Sequence, residues 1–87
     1  MRERDVERYL YEQVRRAGGL ALKLAPTVVG IPDRLVILPD RPMFFVEVKS
    51  PTGRLRPVQS AVHERLRKMG QRVEVIYSPN DVIGLLT

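Results

Sequence analysis

The sequence predicts a small α+β domain with element order αβββαβα, and three observations carry that prediction. Apolar residues recur at helical spacing through the first seventeen positions. Two β-rich runs flank a Pro-rich turn in the middle of the chain. A second amphipathic stretch, bracketed by Pro57 and Gly70, leads into one more apolar strand.

The elements follow in order. Residues 3–17 read as a helix because Val6, Leu10, Val14 and Ala17 share one face, and Gly18-Gly19 stops it. Leu20 to Ala25 is a strand candidate ended by Pro26. Gly30-Ile31-Pro32-Asp33 reads as a turn, since Gly frees the backbone and Pro disfavours helix in the residue before it. Leu35–Leu38 and Met43–Lys49 form a hairpin around Pro39-Asp40-Arg41-Pro42. With that turn, Leu38 pairs with Met43 and Asp33 falls opposite Val48, next to Glu47. Pro57 suits a first helical turn, and Val58, Val62, Leu66 and Met69 mark the apolar stripe of the second helix. Arg72–Tyr77 is the last strand, and Pro79 to Leu86 a short final helix. No repeat, linker or low-complexity tract interrupts residues 1–87, so one domain is expected.

Composition narrows the chemistry. The 87 residues contain no Cys, which removes disulfide scaffolds, thiolate metal sites and cysteine nucleophiles together. The apolar runs are too short to span a membrane and the N-terminus is charged throughout, so a soluble intracellular protein is expected. A chain this short buries a modest fraction of its surface, and a partner subunit would help it. The net charge of +5 is localised: residues 54–72 hold six basic groups against Glu64 alone, and that surplus of five equals the whole excess. Twelve of the fifteen basic residues are Arg, whose planar fork matches phosphate oxygens. Such a segment is either a solubilising face or a polyanion site.

Candidate chemistry gathers on the hairpin. Glu47 and Lys49 lie two apart on a strand and share a face, while Asp33 approaches Glu47 from the facing strand. Close carboxylates repel unless a proton or cation joins them, and an all-oxygen set suits Mg²⁺ or Mn²⁺. On the first helix, Glu3 and Glu7 lie in or beside the apolar stripe, where a carboxylate needs a partner. On the second, Gln59 borders the apolar stripe, flanked by Arg56, His63 and Arg67. His63, the lone histidine, reads as a surface residue and is not assigned to metal.

The ordered set Gly30-Ile31-Pro32-Asp33-Arg34, then Phe45-Val46-Glu47-Val48-Lys49, resembles the PD-(D/E)XK nucleases. Glu3-Arg4-Asp5-Val6-Glu7, Gly18-Gly19 and Leu55-Arg56-Pro57-Val58-Gln59 narrow the resemblance to the virus-type replication-repair nuclease (VRR-NUC) domain. It spans Glu3 to about Leu86. The resemblance implies an α/β/α restriction-endonuclease-like fold, with Asp33, Glu47 and the Val48 carbonyl holding Mg²⁺ or Mn²⁺. Lys49 would position the attacking water or stabilise phosphate charge, and Gln59 matches the family's helix glutamine. A first-helix carboxylate, Glu7 or Glu3, would complete the site.

The function so implied is metal-dependent, structure-selective cleavage of branched DNA, such as a four-way junction, by a homodimer. Arg54, Arg56, Arg67 and Lys68 are the expected backbone contacts, which give affinity without reading bases. The alternative is a non-catalytic basic DNA- or RNA-binding module on the same fold. A restriction-type enzyme reading a short sequence is disfavoured by the small size.

Overall fold

A computed structural model describes residues Met1–Thr87. Its elements are α1 (Glu3–Arg16), β1 (Leu20–Lys23), β2 (Arg34–Ile37), β3 (Phe44–Val48), α2 (Pro57–Lys68), β4 (Val73–Ile76) and α3 (Pro79–Leu86). This is the expected αβββαβα order. No helix is long and apolar enough to cross a membrane.

α1 forms because Val6, Leu10 and Val14, spaced by four, become completely buried on one face. Asp5 accepts a hydrogen bond from the Arg2 N–H at 3.2 Å at its start. Its end is closed by Gly18, whose φ of +85° suits glycine. The Gly19 N–H reaches back to the Val14 carbonyl at 2.9 Å and the Gly18 N–H to Arg15 at 3.0 Å.

The sheet runs β1-β2-β3-β4, antiparallel across the first three strands and parallel between β3 and β4. α2 makes the crossover that parallel pairing requires. β3 is therefore interior, which explains why Val46, Glu47 and Val48 are all buried in succession. Phe44, Val46 and Val48 join Val36 and Ile76 in a core with Val6, Leu10 and Val14 of α1 and Val82 and Leu85 of α3. The alternate positions of β3 face α2. The molecule is thus two helices, a mixed sheet and one helix in layers.

The hairpin register differs from expectation by one residue. Arg34 pairs with Val46, Leu35 with Phe45 and Val36 with Phe44, and the connection runs through Leu38–Met43 without a Leu38–Met43 pair. Burial sets this outcome. Val36 and Phe44 both belong to the α1 face, and the tighter turn would have set Val36 against the half-exposed Phe45. Asp40, at φ +61°, helps accommodate the longer turn. Continuing the observed register by one step sets Asp33 level with Glu47, on the α2 side of the sheet.

A second correction concerns α2. Its buried residues are Gln59 and His63, whereas Val58 is 37% exposed and Met69 64% exposed. The helix thus turns a polar edge to the sheet and leaves part of the expected apolar stripe at the surface.

The loop before Asp33 is held by close packing. Pro32 is buried, and Gly30 has φ +91° with its Cα against the first turn of α2. An added Cβ at Gly30 would stand 2.7 Å from the Val58 carbonyl oxygen and 3.0 Å from Val62 Cγ2. Gly30→Ala should therefore cost about 2 kcal/mol or more, from left-handed backbone strain plus the clash. Urea unfolding would measure it, and an unchanged midpoint would mean that the loop does not rest on α2.

Candidate active site

Glu47 is the centre of the site because the fold buries it without fully satisfying it. Its strand is interior, α2 covers its face, and 2% of the residue remains exposed. Oε2 accepts a hydrogen bond from Gln59 Nε2 at 3.2 Å and lies 3.7 Å from Lys49 Nζ. Oε1 lies 3.5 Å from His63 Nε2, yet no hydrogen bond forms and both atoms lack a partner.

Gln59 is fixed at both ends of its amide. Its Oε1 accepts the Arg56 N–H at 2.8 Å, capping α2, and this turns its Nε2 toward Glu47. Asp33 is positioned from β3 itself: its Oδ2 accepts the Val48 N–H at 2.8 Å. Pro32 and the Gly30 turn set the backbone that carries it.

The Glu47 carboxyl is pushed up from 4.5 to about 8. Burial is the largest cause, since it penalises the charged form. The Asp33 charge acts in the same direction. Lys49 opposes them, and the Glu3 charge adds a smaller upward push. His63 is lowered from 6.5 by burial first, then by the Arg67 charge, so the imidazole is neutral at pH 7.

The two first-helix glutamates part company. Glu7 is engaged by Arg34, with Nε to Oε2 at 2.9 Å, while Arg34 Nη1 donates to the Ala21 carbonyl at 2.9 Å. Glu3 forms no ion pair or side-chain hydrogen bond, and its charge is felt at Glu47. Glu3 is exposed at the first residue of α1.

The basic segment divides as well. Arg54, Arg56 and Lys68 are exposed, and their side chains have no partner within the chain. Arg67 is tied into the fold, donating from Nη1 to Glu64 at 3.1 Å and from Nη2 to the Val73 carbonyl at 2.9 Å. Arg72, from the same segment, pairs with Glu74 at 2.9 Å and lies 4.2 Å over the Phe44 ring.

His63 is the residue that sequence reasoning missed. Far from being at the surface, it is completely buried against Glu47. Its spacing of four from Gln59 was the available signal, because it puts both on one helix face.

The donor set can be tested against a divalent cation. No three Asp, Glu or His side chains converge closely enough to form a cage. What the site offers is two carboxylates brought together, with Glu47 Oε1 lacking any hydrogen-bond donor. That suits Mg²⁺ or Mn²⁺, of which Mg²⁺ keeps several waters and uses one or two carboxylates. It offers none of the thiolates and only one of the imidazoles on which zinc sites mostly draw.

The same fold appears in known proteins. The VRR-NUC domain family model matches residues 7–80. A solved structure of a VRR_NUC domain superimposes with a TM-score of 0.86 at 40% identity, covering 97% of this chain and 92% of that one. The chain is also 42% identical over 79 residues to the "Putative nuclease p44" of Acyrthosiphon pisum secondary endosymbiont phage 1, covering 90% of this chain and 85% of that protein. The chain belongs to the VRR-NUC family.

A pH dependence follows from the buried pair in metal-free protein. Glu47 has a raised folded pKa, so its stability contribution is full below 4.5 and is lost as pH rises toward 8. His63 has a lowered one, so its contribution is full above 6.5 and is lost on acidification. The two oppose each other below 6.5, which leaves pH 6.5 to 8 as the window where Glu47 acts without that opposition. In EDTA, Tm should fall across that window, and Glu47→Gln should flatten the fall. Thermal scans in a pH series would check it.

Proposed function

We propose that the chain is a metal-dependent DNA endonuclease selective for branched structures, with a four-way junction as the favoured substrate. The observation that carries this reading is the convergence of Asp33, Lys49 and Gln59 on a Glu47 that burial and the Asp33 charge make hard to ionise. A binding module has no need of clustered acids facing a polyanion. Membership of the VRR-NUC family and the naming of the phage relative as a nuclease support the same reading.

Asp33 and Glu47, with the Val48 carbonyl, would hold Mg²⁺ or Mn²⁺. When bound, the metal supplies Lewis-acid polarisation of the phosphodiester and a lowered pKa for water. The protein's own groups do the rest. The Val48 N–H keeps Asp33 in place, and Gln59 orients Glu47 through Oε2. Lys49, 15% exposed at its side chain, presents an ammonium group beside Glu47 where it holds the attacking water or offsets charge on the phosphate oxygens. Of the two first-helix carboxylates, Glu3 is the better candidate to complete the site, because Arg34 already holds Glu7.

Arg54, Arg56 and Lys68 would grip the DNA backbone, giving affinity independent of base sequence. Arg67 plays the smaller part, since its guanidinium is already bonded to Glu64 and Val73. Selection then falls to DNA shape. A homodimer matches the symmetry of a four-way junction, because two-fold axes can coincide. The protein would act inside the cell, where its substrate lies.

Cleavage of a labelled four-way junction should require Mg²⁺ or Mn²⁺ and stop in EDTA. Asp33→Ala, Glu47→Ala and Lys49→Ala should each lose at least about 100-fold in kcat, the scale of removing one transition-state contact. Equal cutting by all four proteins would overturn the site, and metal-independent binding with no cutting would favour the binding module. Light scattering at micromolar concentration should give the mass of two chains; a monomer alone would contradict the dimer.

A further inference from the structure

His63 takes no part in the chemistry above, yet it is completely buried in the one layer where the chain places a carboxylate. Glu47 Oε1 and both ring nitrogens of His63 have no hydrogen-bond partner, although Nε2 and Oε1 are 3.5 Å apart. Each buried, unpaired polar group forfeits its hydration, so an idle imidazole here would be a poor choice over Leu or Met. A shift of about half an ångström converts the contact into an ordinary N–H···O hydrogen bond.

The helix geometry explains why His63 meets this oxygen. Gln59 and His63 lie four apart on the buried edge of α2, one turn from each other. Gln59 Nε2 takes Oε2, and His63 Nε2 faces Oε1. One helix face thus addresses both oxygens of a single carboxylate, while Lys49 approaches Oε2 from the strand itself. A neutral imidazole carries one N–H, and with that N–H on Nε2 the ring can donate to Oε1.

We propose that His63 is a positioning residue of the metal centre, whose Nε2–H donates to Oε1 of ionised Glu47 and, with Gln59, locks the plane of that carboxylate toward Asp33. This rests on the reading of Asp33 and Glu47 as metal ligands. His63 itself does not ligate the metal, because Nε2 is spent on one lone pair of Oε1, which keeps its second for the cation. Partners of metal ligands typically matter by about 10- to 100-fold in metal affinity.

The test is Mn²⁺ affinity of the full chain without DNA, measured by calorimetry and by loss of the free-ion paramagnetic signal. Wild type, His63→Leu, His63→Gln and Glu47→Ala are compared, with folding checked by thermal unfolding. His63→Leu keeps bulk but no donor, and should bind Mn²⁺ about 10- to 100-fold more weakly. His63→Gln restores a donor and should recover most of that loss. A folded His63→Leu that binds like wild type, or a His63→Gln as weak as His63→Leu, would overturn the proposal.

Nitrogen NMR of the wild-type ring gives an answer even if His63→Leu fails to fold, since the chain has a single histidine. With saturating Mg²⁺ the ring should be neutral with its proton on Nε2. A proton on Nδ1 instead would overturn the proposal. Wild type binding no Mn²⁺ would sink the metal-site reading along with this one. Binding that is lost only in Glu47→Ala would leave that reading standing and remove His63 alone.

Discussion

The structure depends on the burial of one carboxylate in an interior strand. Glu47 sits between Val46 and Val48, paired through β3 to strands on both sides and covered by α2. A side chain so placed is costly to ionise, and Asp33 beside it raises the cost further. Nothing else in the fold neutralises it fully: Lys49 is 3.7 Å away and His63 gives no formed bond. On the proposed reading, the same burial that weakens the metal-free protein as pH rises would give a divalent cation more than it gains in water. Stability and function would then be coupled through a single group.

Much of this organisation was legible in the sequence, and the parts that were not have identifiable causes. The spacing of Val6, Leu10 and Val14 carried α1, and the Gly18-Gly19 pair carried its end. The β-rich runs carried the hairpin, and Asp33, Glu47 and Lys49 stood out within it. The register did not, because Pro39–Pro42 suggests a four-residue turn, whereas the pairing of Val36 with Phe44 on the core face decides it. The α2 stripe misled for a related reason. Valine and leucine positions suggest a core-facing side, but the helix must bring Gln59 and His63 to Glu47, and so part of its apolar surface is left outside. Glu3 and Glu7 are equivalent to periodicity alone, and only the placement of Arg34 separates them.

Charge follows a similar division of labour. Counting placed the whole surplus in residues 54–72, yet two of those cations serve the fold. Arg67 bridges Glu64 and the Val73 carbonyl, and Arg72 covers Phe44 and pairs with Glu74. The remaining free cations, Arg54, Arg56, Arg65 and Lys68, lie on the segment that also contributes Gln59 and His63. On the proposed reading, a single helix and its lead-in connect backbone attraction to the orientation of Glu47.

The most direct test of this coupling is the proton count on metal binding. Titrating Mg²⁺ into the protein at about pH 7, in buffers of different ionisation enthalpy, should reveal close to one proton released per cation, because Glu47 must ionise to become a ligand. Glu47→Gln should abolish the release. Tight binding with no proton released would show that Glu47 is already charged in the metal-free fold, and the central claim would fail.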